Sequence, residues 1–538
     1  MQNETPIRPP LSRVFLSLGV FHCQRSICHL SFFITRSQDV LLVALTITGL
    51  VAAAPLGAQP GAQLAEKSAQ GTAAMQAGRF ADAIGIYEEL VAARPADAGL
   101  LMNLGMARYM AGQADAAIAP LQKAARLQPS LAPASLFLGA SLLQVGRMKE
   151  AAAPLQRAVT ALPENADARE MLARVKLSLS DFASAATHYR ALTELDPKGA
   201  KGWYGLSRSY QGIAEEAFAA LQRQAPDSPL LELLVAEVAA TQDKFPAALR
   251  LYRRVLAASP SVGGVHEAIA DLYTRAGKPD WAATELQRAP TRTPARCASR
   301  QAECRFLEGK FREALRVTRR VQSPVGLYWT IRASNALATE SVAHLETLPA
   351  SVELHLIRAE IAQAQRRPSE AVKEIRAALE LEPGDPGIET ALAEALVRAG
   401  NAAEAVPLLE RLAREHGEDP LIALLYGEAL LLAQRIDEAI PALERAVQAD
   451  PRALAPRSAL GRAYVQAGRF EAALPHLEAA AAEDDDGDVH YQLARAYQAL
   501  QRTDAARNAM AEYQKRHQEQ APEEPAGGTG EAELTPPE

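Results

Sequence analysis

The sequence predicts an all-α solenoid of about fourteen tandem helix-turn-helix hairpins. Three observations lead there. Hydrophobic residues fill 48% of the 538 positions but aromatics only 5%, with alanine dominating the apolar share. Alanine is the strongest helix former and lets two helices approach closely. Runs of Val, Ile, Thr and aromatic residues, which favour strands, are scarce. Above all, independent columns share one period. Pro95, Pro129, Pro163 and Pro197 are 34 residues apart; Gly71, Gly105, Gly139 and Ala173 keep the same step. So do Ala83, Ala117, Ala151 and Ala185, and likewise Tyr87, Leu121, Leu155 and Tyr189.

Each column has a structural reason. Gly105 and Gly139 lie mid-way along a first helix, where a larger side chain would push its neighbour away. Ala117 and Ala151 take the matching close-contact point on the second helix, and Leu104 and Leu121 fill the space between. Gly78, Gly112 and Gly146 mark the turn between the two helices, where a helix commonly stops. The prolines end the second helix, because proline forces the residue before it out of helical geometry.

These columns resemble the tetratricopeptide repeat, with its small, Ala, aromatic or Leu, and Pro positions in a 34-residue frame. The pattern returns at Pro260 and Pro294, Gly427 and Gly461, Ala439 and Ala473, and Leu443 and Leu477, covering residues 64 to about 516. The resemblance implies a right-handed superhelix whose first helices line a concave groove that binds polypeptides.

Two places leave the frame. Trp203, Leu206 and Tyr210 fit first-helix positions, but the next proline, Pro226, comes five residues early. Residues 328–349 form a second short unit. The stretch after each short unit is duplicated at a step of 123: Pro260 maps to Pro383, Gly277 to Gly400, Ala282 to Ala405 and Leu286 to Leu409. The expected organisation is a leader over 1–58, four repeats over 64–200, a short hairpin with repeats over 201–327, a second such block over 328–419, repeats over 420–516, and a disordered acidic tail over 517–538.

The net charge of −7 resides mainly in residues 521–538, where Glu523, Glu524, Glu531, Glu533 and Glu538 leave only −2 for the rest. No global field favours nucleic acid. The Pro, Gly and Glu content of the tail is too polar to bury a core. Residues 40–54, VLLVALTITGLVAAA, are uncharged and end at small residues, as in a secretory signal, with Arg25 and Arg36 before them. Export with cleavage after Ala58 is expected, giving a periplasmic or other extracytoplasmic protein. Nearly forty residues precede the apolar stretch, so either the true start lies downstream of Met1 or the segment persists as an inner-membrane anchor. Cys297 and Cys304 on one regular helix would be roughly 10 Å apart along the axis, too far for a disulfide. Buried free thiols are favoured, and a bridge would need Cys297 to precede the helix.

No catalytic constellation stands out, the ten histidines lack metal-ligand spacing, and no cofactor motif occurs. A non-enzymatic scaffold for proteins or peptides is expected. The run Glu483, Asp484, Asp485, Asp486, Gly487, Asp488 has its glycine one place early for a calcium loop and reads as a solvated loop favouring the next helix's N-terminus. Counting from the prolines places Met75, Met102, Asn103, Met106, Tyr109, Met110, Phe137, Leu143 and Met171 on the groove, where flexible methionines suit varied apolar segments. The C-terminal groove offers Glu394, Arg398, Glu428, Arg462 and Arg495 instead. A second reading is an adaptor for an anionic surface polymer or lipid. It rests on residues 288–320, with ten basic and three acidic side chains. There Arg292, Arg296 and Arg300 make one stripe if that stretch is helical, joined by Arg312 and Arg316.

Overall fold

The computed structural model describes residues 60–520, apart from 261, 291–293, 320, 418 and 485–486, together with 534–537. The leader with its apolar stretch 40–54 lies outside the described residues. Among the described residues no helix is long and apolar enough to cross a membrane.

The described residues fold as 27 successive α-helices. The first four hairpins are α1 (Pro60–Gln76) with α2 (Phe80–Ala93), α3 (Ala98–Met110) with α4 (Ala114–Leu127), α5 (Ala132–Gln144) with α6 (Met148–Ala161), and α7 (Ala166–Ser178) with α8 (Phe182–Leu195). The repeat columns do the work expected of them. Ala83, Ala117, Ala151 and Ala185 are fully buried. A Cβ placed on Gly105 would lie 2.3 Å from Leu121 Cγ, and one on Gly139 2.4 Å from Leu155 Cγ. Helices α2, α4, α6 and α8 each stop two residues before their proline. Prolines inside second helices are accommodated locally: Pro120 has no N–H for the Ala116 carbonyl, and Arg108 Nη1 donates to that oxygen instead at 2.9 Å.

The two short units are not hairpins. Each is a single long helix, α9 (Ala200–Gln224) and, further on, α17 (Pro324–Leu345). The turn slot explains the difference. Gly78, Gly112 and Gly146 have φ of 70°, 78° and 75°, and Ser180 takes the same slot at 58°. One more 34-residue step lands on Ala214, and a further 123 on Leu337, both buried within their helices. An L-residue in the left-handed region costs roughly 1–2 kcal/mol, and alanine and leucine favour continuing the helix.

Between these long helices run α10 (Pro229–Thr241) and α11 (Phe245–Ala258), α12 (Val265–Arg275) and α13 (Pro279–Arg288), then α14 (Pro294–Ser299), α15 (Gln301–Leu307) and α16 (Phe311–Thr318). Pro294, expected to close a second helix, opens α14, where its fixed φ suits the first helical position. After α17 come five hairpins: α18 (Val352–Ala364) with α19 (Pro368–Leu381), α20 (Pro386–Arg398) with α21 (Ala402–Glu415), α22 (Pro420–Leu432) with α23 (Ile436–Ala449), α24 (Leu454–Gln466) with α25 (Phe470–Ala480), and α26 (Asp488–Ala499) with α27 (Thr503–Gln520). The described helices thus form twelve hairpins with α9, α14 and α17 unpaired in this sense.

The helices group into two compact units. One holds the described residues up to Leu231 and Pro290–Pro349; the other holds Glu232–Ala289 and everything from Ala350 on. In the first unit, α9 packs on α17 more extensively than any other helix pair does among the described residues. These are the corresponding members of the 123-residue duplication, so the duplicated element has become its own partner. Trp203 near the start of α9 lies 3.8 Å, centroid to centroid, from His344 near the end of α17, as antiparallel helices require.

Cys297 and Cys304 form a disulfide with Cα atoms 5.7 Å apart, which corrects the expectation of free thiols. The reason is a break in the helix. Cys297 is in α14 and Cys304 in α15, and Arg300 between them is non-helical at φ −124°, ψ 49°. That break also removes the expected arginine stripe: Arg296 and Arg300 do not share one helix, and Arg292 lies outside the described residues.

The acidic run before α26 behaves as a cap, but its key residue is buried. The Asp484 carboxylate, only 3% exposed, accepts from the backbone N–H groups of Gly487 (3.1 Å), Val489 (3.2 Å) and His490 (2.9 Å) and from the His490 ring. Two parts of the stretch from 517 on, expected to be disordered, are structured. Helix α27 continues to Gln520, and residues 534–537 lie against α11 and α12.

The Gly–Leu contact makes a local prediction. Gly105→Ala should cost on the order of 1–3 kcal/mol by overpacking, read by hydrogen exchange as lost protection in α3 and α4 with α20–α26 unchanged. Combined with Leu121→Ala, which vacates the space, the cost should fall below the sum of the two single changes. Additive costs would contradict the contact.

Candidate functional site

Successive first helices touch one another while successive second helices do not pack to that extent. In the first unit α3 meets α5, α5 meets α7 and α7 meets α9; in the second α20 meets α22, α22 meets α24 and α24 meets α26. The first-helix side of each row is therefore its inner, concave side.

On that side of the first unit the predicted residues are mostly half-buried. Met102, Asn103, Met106, Tyr109 and Met110 on α3 all retain exposure, as do Phe137 on α5 and Met171 on α7. Tyr109 and Phe137 meet edge to face with centroids 5.6 Å apart. Met102, Tyr109, Phe137 and Met171 rest on the core formed by Leu138, Leu142, Leu155 and Leu172, covering it with one side and facing outward with the other. Met75 does the same over the core of α1 and α2. Leu143 differs. It shares the register of Tyr109, but at 4% exposure it is part of the core. Helix α5 has a first helix packed on each side, α3 and α7, which close over that position.

Polar neighbours on α7 complete this face. Arg174 sits two repeat steps after Met106 and pairs with Glu170 at 3.8 Å. Burial raises the Tyr109 hydroxyl pKa, Arg174 opposes the rise and Asp167 adds to it. The 34-residue frame carried the signal for Arg174, which a search for apolar residues passes over.

The second unit's concave side is acidic at the same register. Glu360, Glu394 and Glu428 follow at 34-residue steps on α18, α20 and α22, with Arg462 next on α24. Leu356, Glu360, Gln363 and Glu394 line a shallow cleft. Arg398 Nη2 donates to Glu394 Oε1 at 2.9 Å, and Arg462 lies 3.8 Å from Glu428. Burial lifts the Glu428 pKa, Arg462 and Arg398 pull it partly back, and Glu394 adds to the rise.

Part of the basic stretch around 288–320 is paired with carboxylates. Arg288 pairs with Glu285 (3.5 Å), Arg300 with Glu303 (3.3 Å), and Arg305 with Glu308 and Glu313 (3.2 and 3.3 Å). Lys310 also pairs with Glu308, at 3.0 Å. Arg312 and Arg316 are exposed on α16. Among the described residues no cluster of three or more His, Cys, Asp or Glu side chains is arranged to hold a metal ion.

Family models for the tetratricopeptide repeat match residues 68–132, 170–230, 233–296 and 390–453, and a second set 430–487 and 465–523, together more than half of the chain. No curated protein matches the sequence. Among solved structures, a thermophilic tetratricopeptide-repeat protein of Thermus thermophilus is 23% identical over 32% of this chain and 93% of its own, with a TM-score of 0.29. A tetratricopeptide-repeat protein of Parabacteroides merdae is 13% identical over 62% of this chain and 100% of its own, with a TM-score of 0.30. The MamA protein is 21% identical over 36% and 91%, with a TM-score of 0.27.

The Glu428 environment sets a pH dependence. Its raised pKa means the folded state favours the protonated form. The corresponding stability is complete below the unfolded carboxyl value of about 4.3 and is lost as pH rises through the folded value. Glu428→Gln should therefore melt at a higher temperature than the native chain at pH 7 to 8, with the gain fading in acid. A variant that melts lower than the native chain at pH 7 to 8 would show that the arginines, not burial, dominate its ionisation.

Proposed function

Because the chain belongs to the tetratricopeptide-repeat family, we propose that it is a non-enzymatic scaffold that holds peptide segments of partner proteins in its concave faces. The first unit takes an apolar or amphipathic segment. The observation that carries this is the cluster of half-buried Met102, Met106, Met110 and the Tyr109–Phe137 pair on one first-helix face, above a core already closed by leucine and alanine. Methionine adapts its shape at little cost, and the paired rings give a fixed apolar ledge. The acidic face of the second unit sets the orientation of bound partners through charge.

The compartment we assign is extracytoplasmic, in a bacterial cell envelope. Support comes from the Cys297–Cys304 disulfide, since such bridges persist in oxidising compartments, and from the apolar segment 40–54 preceded by Arg25 and Arg36.

Crosslinking capture from the native host tests the groove. Met106→Glu and Tyr109→Ala should each reduce partner recovery by about tenfold, the scale of one lost apolar contact, while the melting temperature stays nearly unchanged. Undiminished capture, or unfolding of the first repeats, would sink the assignment. For the compartment, alkaline phosphatase fused after Gln63 should be active in a bacterial host and inactive when fused after Asp39. Inactivity of both fusions would place the chain in the cytoplasm.

A further inference from the structure

One register of the repeat links several first helices to the second helix of the preceding hairpin through polar side chains about twenty residues apart. Glu88 accepts from Arg108 at 2.7 Å. Tyr464 donates its hydroxyl to Glu444 at 2.6 Å, and Tyr497 donates to Glu478 at 2.8 Å. In the latter two pairs the carboxylate takes the only phenolic proton, so the tyrosine has nothing further to donate.

At Arg253 and Tyr273, as at Arg190 and Tyr210, the chemistry is reversed. A guanidinium only donates, so Arg253 Nη2 gives a proton to the Tyr273 hydroxyl, at 3.4 Å, and the phenolic proton stays available. That proton goes to the backbone carbonyl of Thr535, 2.8 Å away. Arg253 Nη1 donates to Thr535 Oγ1 at 2.6 Å, and Nη2 reaches the carbonyls of Pro536 at 2.6 Å and Thr535 at 3.4 Å. The Tyr273 ring is fully buried and stands edge-on to Trp281 at 5.5 Å, so its hydroxyl is held in place.

We propose that the Arg253–Tyr273 pair is a docking site for an extended, proline-containing chain segment, and that residues 534–537 of this same chain, Leu-Thr-Pro-Pro, are its resident occupant. The segment suits the site. A residue before proline is biased to extended geometry, which points its carbonyl outward with no helical partner. Pro536 and Pro537 lack N–H groups, so docking leaves no backbone donor unsatisfied there, and their fixed φ lowers the entropy lost on binding. The site reads two successive carbonyls and a hydroxyl, all donors on the protein side and all acceptors on the segment. Tethering raises the segment's local concentration into the millimolar range, so a partner carrying a similar Thr-Pro-Pro stretch must displace it. The segment therefore gates this site. The register lies one residue away from that of Tyr109, and the proposal stands apart from the groove reading above.

The test uses full-length chains and a fluorescent Leu-Thr-Pro-Pro peptide supplied in trans. The triple variant Thr535→Gly, Pro536→Gly, Pro537→Gly, whose own segment cannot dock, should bind the peptide at least about tenfold more tightly than the native chain. Adding Arg253→Ala should abolish that gain. Adding Tyr273→Phe instead, which keeps the buried ring and deletes only the hydroxyl, should weaken binding without changing the melting temperature. Equal peptide binding by native chain and triple variant, no binding by the triple variant, or binding indifferent to both Arg253 and Tyr273 would each overturn the proposal.

Discussion

The architecture depends on one close approach, repeated along the chain: a glycine or alanine of a first helix pressed against a leucine or tyrosine of the second. At Gly105, Gly139, Gly427 and Gly461 even a methyl group would overlap the Leu121, Leu155, Leu443 or Leu477 side chain. Such contacts set the spacing of the two helices in a hairpin, and that spacing lets the next first helix settle into the groove they leave. Because each hairpin closes its core only against neighbours, the stabilising interactions are local and the array adds unit by unit. It also explains the composition. Alanine serves where a larger side chain would separate helices, and the fully buried Ala117, Ala151, Ala439 and Ala473 are the result.

A second constraint decides where the array changes character. A hairpin needs one residue in the left-handed region, and the chain meets this with Gly112, Gly146, Gly277, Gly400 and Gly468, or with residues such as Ser180 and Gln434 that bear some strain. Where the slot holds Ala214 or Leu337 the first helix runs on. The two long helices that result are related by duplication and bury Tyr204, Tyr210, Tyr328 and Trp329. A shortened repeat with alanine or leucine in the turn slot thus forms one long helix in place of two short ones. The two long helices, of 25 and 22 residues, pack on each other.

The fold is legible in the sequence because its causes are local and periodic. Proline stops, alanine contacts and glycine turns each act within a hairpin, so their columns show. The two short units resemble hairpins because their proline spacing is that of a shortened repeat, although the residues in the turn slot already point to a continuous helix. The disulfide is hidden because it depends on the break at Arg300, which no repeat column encodes. Of the groove, the register of Met106, Tyr109 and Phe137 can be counted out, but the burial of Leu143 cannot. That burial depends on helices flanking α5 on both sides, whereas α3 is packed to that extent by a first helix only on the α5 side. The segment 534–537 is hidden for another reason: its composition is that of an unfolded chain, and its partner lies more than 260 residues earlier.

Repetition also shows how one scaffold acquires different surfaces without changing its packing. The register linking neighbouring hairpins carries Glu–Tyr at 444 and 464 but Arg–Tyr at 253 and 273. Both pairs bridge corresponding helices, at 2.6 and 3.4 Å, so both satisfy the architecture. They differ in what remains. A carboxylate absorbs the phenolic proton and closes the pair, whereas a guanidinium leaves that proton for another acceptor, here the Thr535 carbonyl. The groove register varies in the same way, from Met106 to Arg174 in one unit and along Glu360, Glu394 and Glu428 in the other. The small and branched residues between helices hold the frame, and the positions one or two places away are released from that duty. The surface chemistry of such a chain is therefore set by single residues at registers that packing leaves open.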